Sequence, residues 1–186
     1  ADAVNYSRLM AGDDHATIRA LDTAREVFRR CIGLHGGRVV DTAGDSVLAV
    51  FNTAMGATSA ALAIQSDLNA KAEEASADRR LQFRIGLHLG DVVEKSDGSI
   101  YGDGVNVAAR LQTIAAPGAV VASESLRLAV RGTLRAAFEP LGQQHLKSIL
   151  SFCNSPQMNA IEAYIQFTPG LITDDGDVTV DSTAAF

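Results

Sequence analysis

The alternation of apolar and polar positions along the chain predicts a regular succession of helices and strands. Apolar residues at helical spacing indicate an amphipathic helix over 16–34 and an alanine-rich helix over 54–72. Between these helices, two short β-rich runs at 38–41 and 47–51 flank a segment of turn composition, which predicts a hairpin. Apolar residues at every second position then predict a strand over 81–93.

The second half of the chain continues with shorter elements. The pattern predicts a helix around Asn106 that ends before a Pro-Gly pair, a strand at 119–122 and a helix over 124–130, while 134–147 has the composition of strand and loop. With residues 1–6 as an opening strand, the order begins β-α-β-β-α-β, the split βαβ of ferredoxin-like folds. We therefore predict an α+β fold with a ferredoxin-like βαββαβ core and extra C-terminal α/β elements.

Composition and charge narrow the possible partners. The chain has 186 residues, of which 47% are hydrophobic, so that it can bury a sizeable core without metals or disulfides. Its net charge of −6 argues against a surface for nucleic acid or for an anionic membrane, because either needs a basic patch. Cys31 and Cys153 show no metal-ligand spacing, which favours a reducing compartment, with the cytoplasm as the expected location.

Asn106 and Arg110 are the first pair of residues that suggests chemistry. They stand four residues apart on a predicted helix, so that one helical face presents both. An amide that can orient a sugar, beside a guanidinium that can neutralise a phosphate, suits phosphoryl chemistry on a nucleotide. The same spacing also fits a solvated helix face, and the pair alone does not decide between the two interpretations.

Two carboxylates form the second candidate feature. Asp2 lies in the predicted opening strand and Asp45 near the tip of the predicted hairpin, and a ferredoxin-like fold brings these positions side by side at one edge of the sheet. Adjacent carboxylates attract divalent cations such as Mg²⁺ or Mn²⁺. Taken singly, Asp45 can also cap a turn and Asp2 can belong to a frayed terminus. The interpretation of Asp2 and Asp45 as metal ligands therefore depends on their combination with Asn106 and Arg110.

These residues lie in motifs that resemble the class III adenylate and guanylate cyclases, in particular the soluble bacterial branch. The resemblance covers most of residues 1–149 and rests on five blocks that occur in the order of the family. The blocks are ADAVNYSRLM at 1–10, GGRVV at 36–40, TAGDS at 42–46, FRIGLHLGDV at 83–92 and GDGVNVAARL at 102–111. The resemblance implies the cyclase fold and a phosphorus-oxygen lyase.

The resemblance also implies a role for each candidate residue. Asp2 and Asp45 would bind two divalent cations, Mg²⁺ or Mn²⁺, with help from the carbonyl of Ala3. Asn106 would position the ribose, and Arg110 would stabilise the pentavalent phosphorus. Both roles serve attack of the 3′-hydroxyl of ATP on its α-phosphate, which gives 3′,5′-cyclic AMP and pyrophosphate.

The family also predicts an assembly and one further contact to substrate. Lys147 falls where the family often has a lysine for the terminal phosphates. In the family the metal-binding aspartates come from one subunit and the Asn and Arg from the other. We therefore expect a head-to-tail homodimer with composite active sites, in which a monomer is inactive.

Asp41 and Ser99 depart from the usual pattern for adenine recognition. Adenylate cyclases usually carry a Lys in place of Asp41 and an Asp or Thr in place of Ser99, the two groups that read the base. Asp41 can only accept hydrogen bonds, and the pair looks closer to the Glu and Cys of guanylate cyclases. ATP is the first expectation, with GTP or a catalytically silent nucleotide-sensing and dimerisation module as alternatives. Asp41 can also simply face solvent.

Both ends of the sequence depart from the family pattern. The apolar residues expected before Asp2 are absent, so that the first strand is expected to be truncated. The segment after Ile149 matches no family motif. We expect residues 1–149 to form a nucleotide cyclase catalytic domain and residues 150–186 to form a divergent tail of unassigned role.

Overall fold

Helices and strands alternate along the computed structural model, which describes residues 1–72, 79–134, 138–145 and 160–165. The first half contains β1 (Asp2–Ala3), α1 (Tyr6–Gly12), α2 (Asp14–Leu34), β2 (Gly37–Asp41), β3 (Leu48–Phe51), α3 (Ala54–Ala72) and β4 (Phe83–Leu87). The second half contains β5 (Val93–Glu94), β6 (Ile100–Tyr101), α4 (Asp103–Ile114), β7 (Val120–Ser123), α5 (Glu124–Val130), β8 (Glu139–His145) and β9 (Ala160–Ile165). Two of the helices predicted from the sequence, over 54–72 and 124–130, are found with those bounds.

The strands form one large sheet and two hairpins. The five-stranded sheet has the order β1-β4-β7-β9-β8, in which β1 runs antiparallel and β7 parallel to β4. The antiparallel β2–β3 hairpin joins this sheet through a bridge between Asp2 and Ser46. Across the bridge the order is β4-β1-β3-β2, which is the ferredoxin-like arrangement. The predicted α+β fold class is therefore confirmed.

The main core lies between the sheet and the helices α2 and α3. Phe83 and Ile85 of β4 are buried against this layer, and the ring of Phe83 meets that of Phe28 edge to face at 5.0 Å. Gln65 of α3 is almost fully buried and donates to the carbonyls of Phe83 at 2.9 Å and Ala119 at 3.1 Å. Because this buried amide group makes both hydrogen bonds, it holds α3 in one position on β4 and β7.

Helix α4 covers the opposite face of the same sheet. Successive strand residues point to opposite faces, so Gly86 faces away from the layer that buries Ile85. A side chain at Gly86 would overlap the carbonyl of Ala108 and the amide of Gln112 in α4. A glycine is therefore required for this close approach, and the approach sets the position of the helix that carries the candidate catalytic pair.

The structure differs from the sequence prediction in two strands and one helix. The opening strand is limited to Asp2–Ala3, because Asn5 adopts a left-handed conformation with φ 59° and α1 follows. Helix α1 was not predicted; it is only seven residues long and buries no residue. The strand predicted over 81–93 ends at Leu87; the apolar residues Leu89 and Val92 beyond it are exposed.

Strand β9 comes from the segment that the sequence analysis assigned to the tail. It pairs antiparallel with β7 on one side and with β8 on the other. The division at residue 149 stays a prediction, and the position of β9 favours a domain that continues to Ile165. In the described residues, no helix is long and apolar enough to cross a membrane.

Candidate active site

Asp2 lies where β1, β4 and α4 meet. Its register partner on β4 is Arg84, whose Nη2 lies 3.1 Å from Asp2 Oδ2 in a half-buried ion pair. Gln112 Nε2 of α4 donates to the same oxygen at 3.4 Å. Arg84 also donates to the carbonyl of Thr113 at 3.5 Å. The carboxylate is therefore oriented from both the strand and the helix.

Asp45 lies in the turn between β2 and β3, directly beside β1. Its carbonyl accepts a hydrogen bond from the backbone N–H of Ala3 at 3.2 Å, and the neighbouring Ser46 forms the bridge to Asp2. Arg25 of α2 reaches this turn and donates to the carbonyl of Gly44 at 2.5 Å. The fold thus brings the main chains of the two predicted metal ligands together, as the ferredoxin-like order requires.

The chemistry of these donors fits Mg²⁺ or Mn²⁺. Asp2, Asp45 and the carbonyl of Ala3 offer oxygen atoms only, which hard divalent cations prefer. In the described residues, no cluster of three or more His, Cys, Asp or Glu side chains is placed to hold an ion by itself. A cation that arrives with a nucleotide is usually held by one or two carboxylates, and its other coordination positions are taken by phosphate oxygens and water.

Asn106 and Arg110 lie on α4, but on its outer side. Asn106 is exposed and Arg110 half-buried, whereas Leu111 and Gln112 face inward and are buried. Since Gln112 is the residue that contacts Asp2, the Asn106 side of the helix points away from the Asp2 edge of the same chain. The predicted pair Asn106 and Arg110 therefore lies on a different surface of the chain from the predicted metal ligand Asp2.

A cavity of about 340 Å³ separates the β2–β3 hairpin from β4 and α4. Asp2, Asp41 and Gln112 provide polar groups in its wall, and most of the remaining lining is apolar. Asn106 and Arg110, both in the part of the chain that the structure describes, do not line it. The cavity therefore belongs to the Asp2 half of the site.

The predicted base-reading residues lie on two separate segments. Asp41 is the exposed last residue of β2, and its Oδ1 accepts from the backbone N–H of Thr42 at 2.8 Å. Ser99 is half-buried in the turn between β5 and β6. Lys147 lies outside the described residues.

Sequence reasoning missed three residues that shape the site: Arg84, Gln112 and Arg25. Arg84 and Gln112 stand within or next to recognised motifs, but their contacts with Asp2 depend on the pairing of β1 with β4 and on the position of α4. No sequence feature marked Arg25 as part of the site, because an arginine in the middle of an amphipathic helix usually belongs to its solvated face.

Comparisons with known proteins agree with this fold. The chain matches the adenylate and guanylate cyclase catalytic domain family over residues 1–164. It is 39% identical over 150 residues to a putative adenylate cyclase 3 of Rhizobium meliloti (strain 1021), which covers 80% of this chain and 25% of that protein. An adenylate/guanylate cyclase/hydrolase from Silicibacter pomeroyi superposes with a TM-score of 0.76 at 36% identity, over 90% of this chain and 93% of that one. The adenylyl cyclase CyaB from P. aeruginosa shares the fold, with a TM-score of 0.72 at 16% identity over 90% of each chain.

Fold and motifs together define a class III nucleotide cyclase domain. The chain belongs to the adenylate and guanylate cyclase catalytic domain family. The resemblance drawn from the five motif blocks is thereby confirmed, as is the assignment to a class of enzymes. The chain spans about a quarter of the length of its Rhizobium relative.

Proposed function

We propose that this chain is the catalytic domain of a purine nucleotide cyclase that converts ATP to 3′,5′-cyclic AMP and pyrophosphate. The observation that carries the proposal is the pairing of β1 with the Asp45 turn, which brings the main chains of Asp2 and Asp45 together. In-line attack of a 3′-hydroxyl on an α-phosphate needs an anionic site for cations and a cationic group for the developing charge. Arg110 supplies the cationic group.

Each residue has a defined task in this proposal. Asp2, Asp45 and the carbonyl of Ala3 hold two Mg²⁺ or Mn²⁺ ions. When bound, such ions supply Lewis-acid activation of the hydroxyl and neutralise the departing pyrophosphate. The amide of Asn106 orients the ribose, and the guanidinium of Arg110 stabilises the charge that grows on the phosphate. Lys147 is proposed to contact the terminal phosphates.

We further propose that the active form is a head-to-tail homodimer with composite sites. The support is that the Asn106 side of α4 faces away from the Asp2 edge, so that a second copy is needed to bring the two halves together. The β5–β6 hairpin adds an apolar surface, since the paired residues Val93 and Tyr101 are 65% and 53% exposed. We assign this hairpin to the proposed dimer interface.

ATP is the proposed substrate, and GTP is the second candidate. The Rhizobium protein that resembles this chain is described as a putative adenylate cyclase, which favours ATP. The observation that favours GTP is the exposed carboxylate of Asp41, because it can accept hydrogen bonds from the ring N–H and the amine of guanine.

The test is product analysis with the purified chain. Incubation with Mn²⁺ or Mg²⁺ and either ATP or GTP, followed by chromatography, is expected to show cyclic AMP as the main product. The Asp45→Ala variant should lose at least about 100-fold in rate, the scale seen when one group that stabilises a transition-state charge is removed. A dimer in solution that makes no cyclic nucleotide from either substrate would instead support a silent nucleotide-sensing module.

The cytoplasm remains the proposed location, and nucleic acid is not proposed as a partner. The net charge of −6 supports the second statement, because phosphate backbones need a basic surface. The low cysteine content supports a cytoplasmic location.

A further inference from the structure

The hydroxyl of Ser99 is already engaged by a neighbouring carboxylate. Ser99 Oγ donates to Asp97 Oδ1 at 2.5 Å, and the backbone N–H of Ser99 donates to the same oxygen at 2.9 Å. The side-chain bond, followed by the backbone bond, lowers the pKa of Asp97, so that this residue is ionised and accepts at neutral pH. A hydroxyl has one proton to donate. Ser99 can therefore only accept hydrogen bonds from any third group.

The turn that carries Ser99 is also tied to strand β2. Arg38 of β2 donates through Nη1 to the carbonyl of Gly98 at 3.2 Å. Its Nη2 forms an ion pair of 2.5 Å with Glu94 on β5. Gly98 stands between Asp97 and Ser99, so these bonds hold the pair against the strand that ends at Asp41. The strand end that carries Asp41 and the turn that carries Ser99 are thus connected within one chain.

We propose that Asp97 is a specificity-determining positioning residue, which holds the Ser99 hydroxyl as an acceptor toward the purine and thereby favours adenine over guanine. The inference rests on the proposed cyclase function and on the base-reading role of Ser99. Adenine carries an amine, a donor, at the ring position where guanine carries a carbonyl, an acceptor. An oxygen that can only accept pairs with the amine and repels the carbonyl. The carboxylate of Asp41 can accept from the amine of adenine as well as from the ring N–H and the amine of guanine, so it does not exclude either purine.

The decisive variant is Asp97→Ala. Without the carboxylate, the hydroxyl of Ser99 can donate its proton to the carbonyl of guanine. The ratio of kcat/KM for ATP to kcat/KM for GTP is expected to fall by about three- to tenfold, the range of a single hydrogen bond. Asp97→Asn keeps an acceptor oxygen and should preserve the ratio. Ser96→Ala, in the same turn, is the matched control and should leave the ratio as in the wild type.

A double variant separates positioning of the hydroxyl from a general effect on the turn. In a Ser99→Ala background, Asp97→Ala should cause no further change in the ratio, because there is no hydroxyl left to orient. The proposal is overturned if Asp97→Ala lowers both kcat/KM values equally, if it shifts the ratio equally with and without Ser99, or if the wild type prefers GTP.

Binding measurements keep this inference distinct from the proposed activity. Equilibrium affinities for ATP and GTP, measured by calorimetry on the same variants, give the purine preference without turnover. Absence of cyclic product, together with the expected shift in binding preference, would refute the activity but not the role of Asp97. Cyclic product with an unchanged preference in Asp97→Ala would refute only the role of Asp97.

Discussion

Asp2 and Arg84 face each other across β1 and β4, and an ion pair of 3.1 Å joins Asp2 Oδ2 to Arg84 Nη2. Gln112 donates to the same carboxylate oxygen. The first proposed metal ligand thus has a cationic partner within its own chain. A divalent cation that binds Asp2 must share the carboxylate with Arg84, or displace it.

Replacement of Arg84 should therefore tighten metal binding in the absence of nucleotide. Arg84→Met keeps the bulk of the side chain and removes the competing charge, so the Kd for Mn²⁺ is expected to fall by about two- to fivefold, the scale of a partly exposed ion pair. Calorimetric titration with Mn²⁺ measures this. Arg79→Met, which removes the exposed pair with Asp13 at 3.7 Å, is the matched control and should not change the Kd. Unchanged or weaker binding in Arg84→Met would contradict the competition.

Arg25 is expected to support the Asp45 turn from α2. It donates to the carbonyls of Thr42 at 3.3 Å and Gly44 at 2.5 Å, and Arg25→Ala leaves both without this partner. We expect a loss of about 1–3 kcal/mol in unfolding free energy together with weaker activation by Mn²⁺. Denaturant unfolding and a metal titration of activity measure the two effects.

The control for Arg25 is Arg29→Ala, an exposed arginine on the same helix. It should change neither stability nor metal activation appreciably. If Arg25→Ala is as mild as Arg29→Ala in both measurements, the turn does not depend on the arginine.

Gly86 should not tolerate even a methyl group. In Gly86→Ala the new carbon would overlap the carbonyl of Ala108 and the amide of Gln112, so α4 must move away from β4. A cost of about 1–3 kcal/mol in unfolding free energy is expected for such overpacking. Gly33→Ala, where the added group meets nothing within 4 Å, should be neutral or slightly stabilising. Equal stabilities for the two variants would show that α4 does not pack on β4 this closely.

Composite sites predict complementation between two inactive variants. Asp45→Ala damages the metal half and Arg110→Ala the phosphate half, so each homodimer should be inactive. After mixing and exchange of subunits, half of the dimers are mixed and each has one intact site. Activity should therefore return to about a quarter of the wild-type value. Failure of mixed samples to regain activity, with subunit exchange shown by size or label, would exclude a site shared between chains.

The sequence indicated the candidate residues of the site, but not the residues that contact them. Asp2, Asp45, Asn106 and Arg110 stand in local motifs, so they can be recognised without knowledge of the fold. Arg25 and Arg84 could not be assigned in this way, because their roles depend on partners 19 and 82 residues away in the chain. The hydrogen bonds that Ser99 can make to a ligand could not be predicted for a different reason. Its hydrogen-bonding capacity depends on the orientation of the Asp97 side chain, which residue type alone does not determine.

The sequence by itself determined the helices α3 and α5, the β2–β3 hairpin and the two faces of α4. Apolar periodicity and turn composition are properties of neighbouring residues, and they act before the chain is packed. Only the tertiary structure decided that β1 is two residues long, that β9 enters the sheet, and that the outer face of α4 turns away from Asp2. These outcomes depend on contacts between distant segments, where packing and paired backbone groups override local preference.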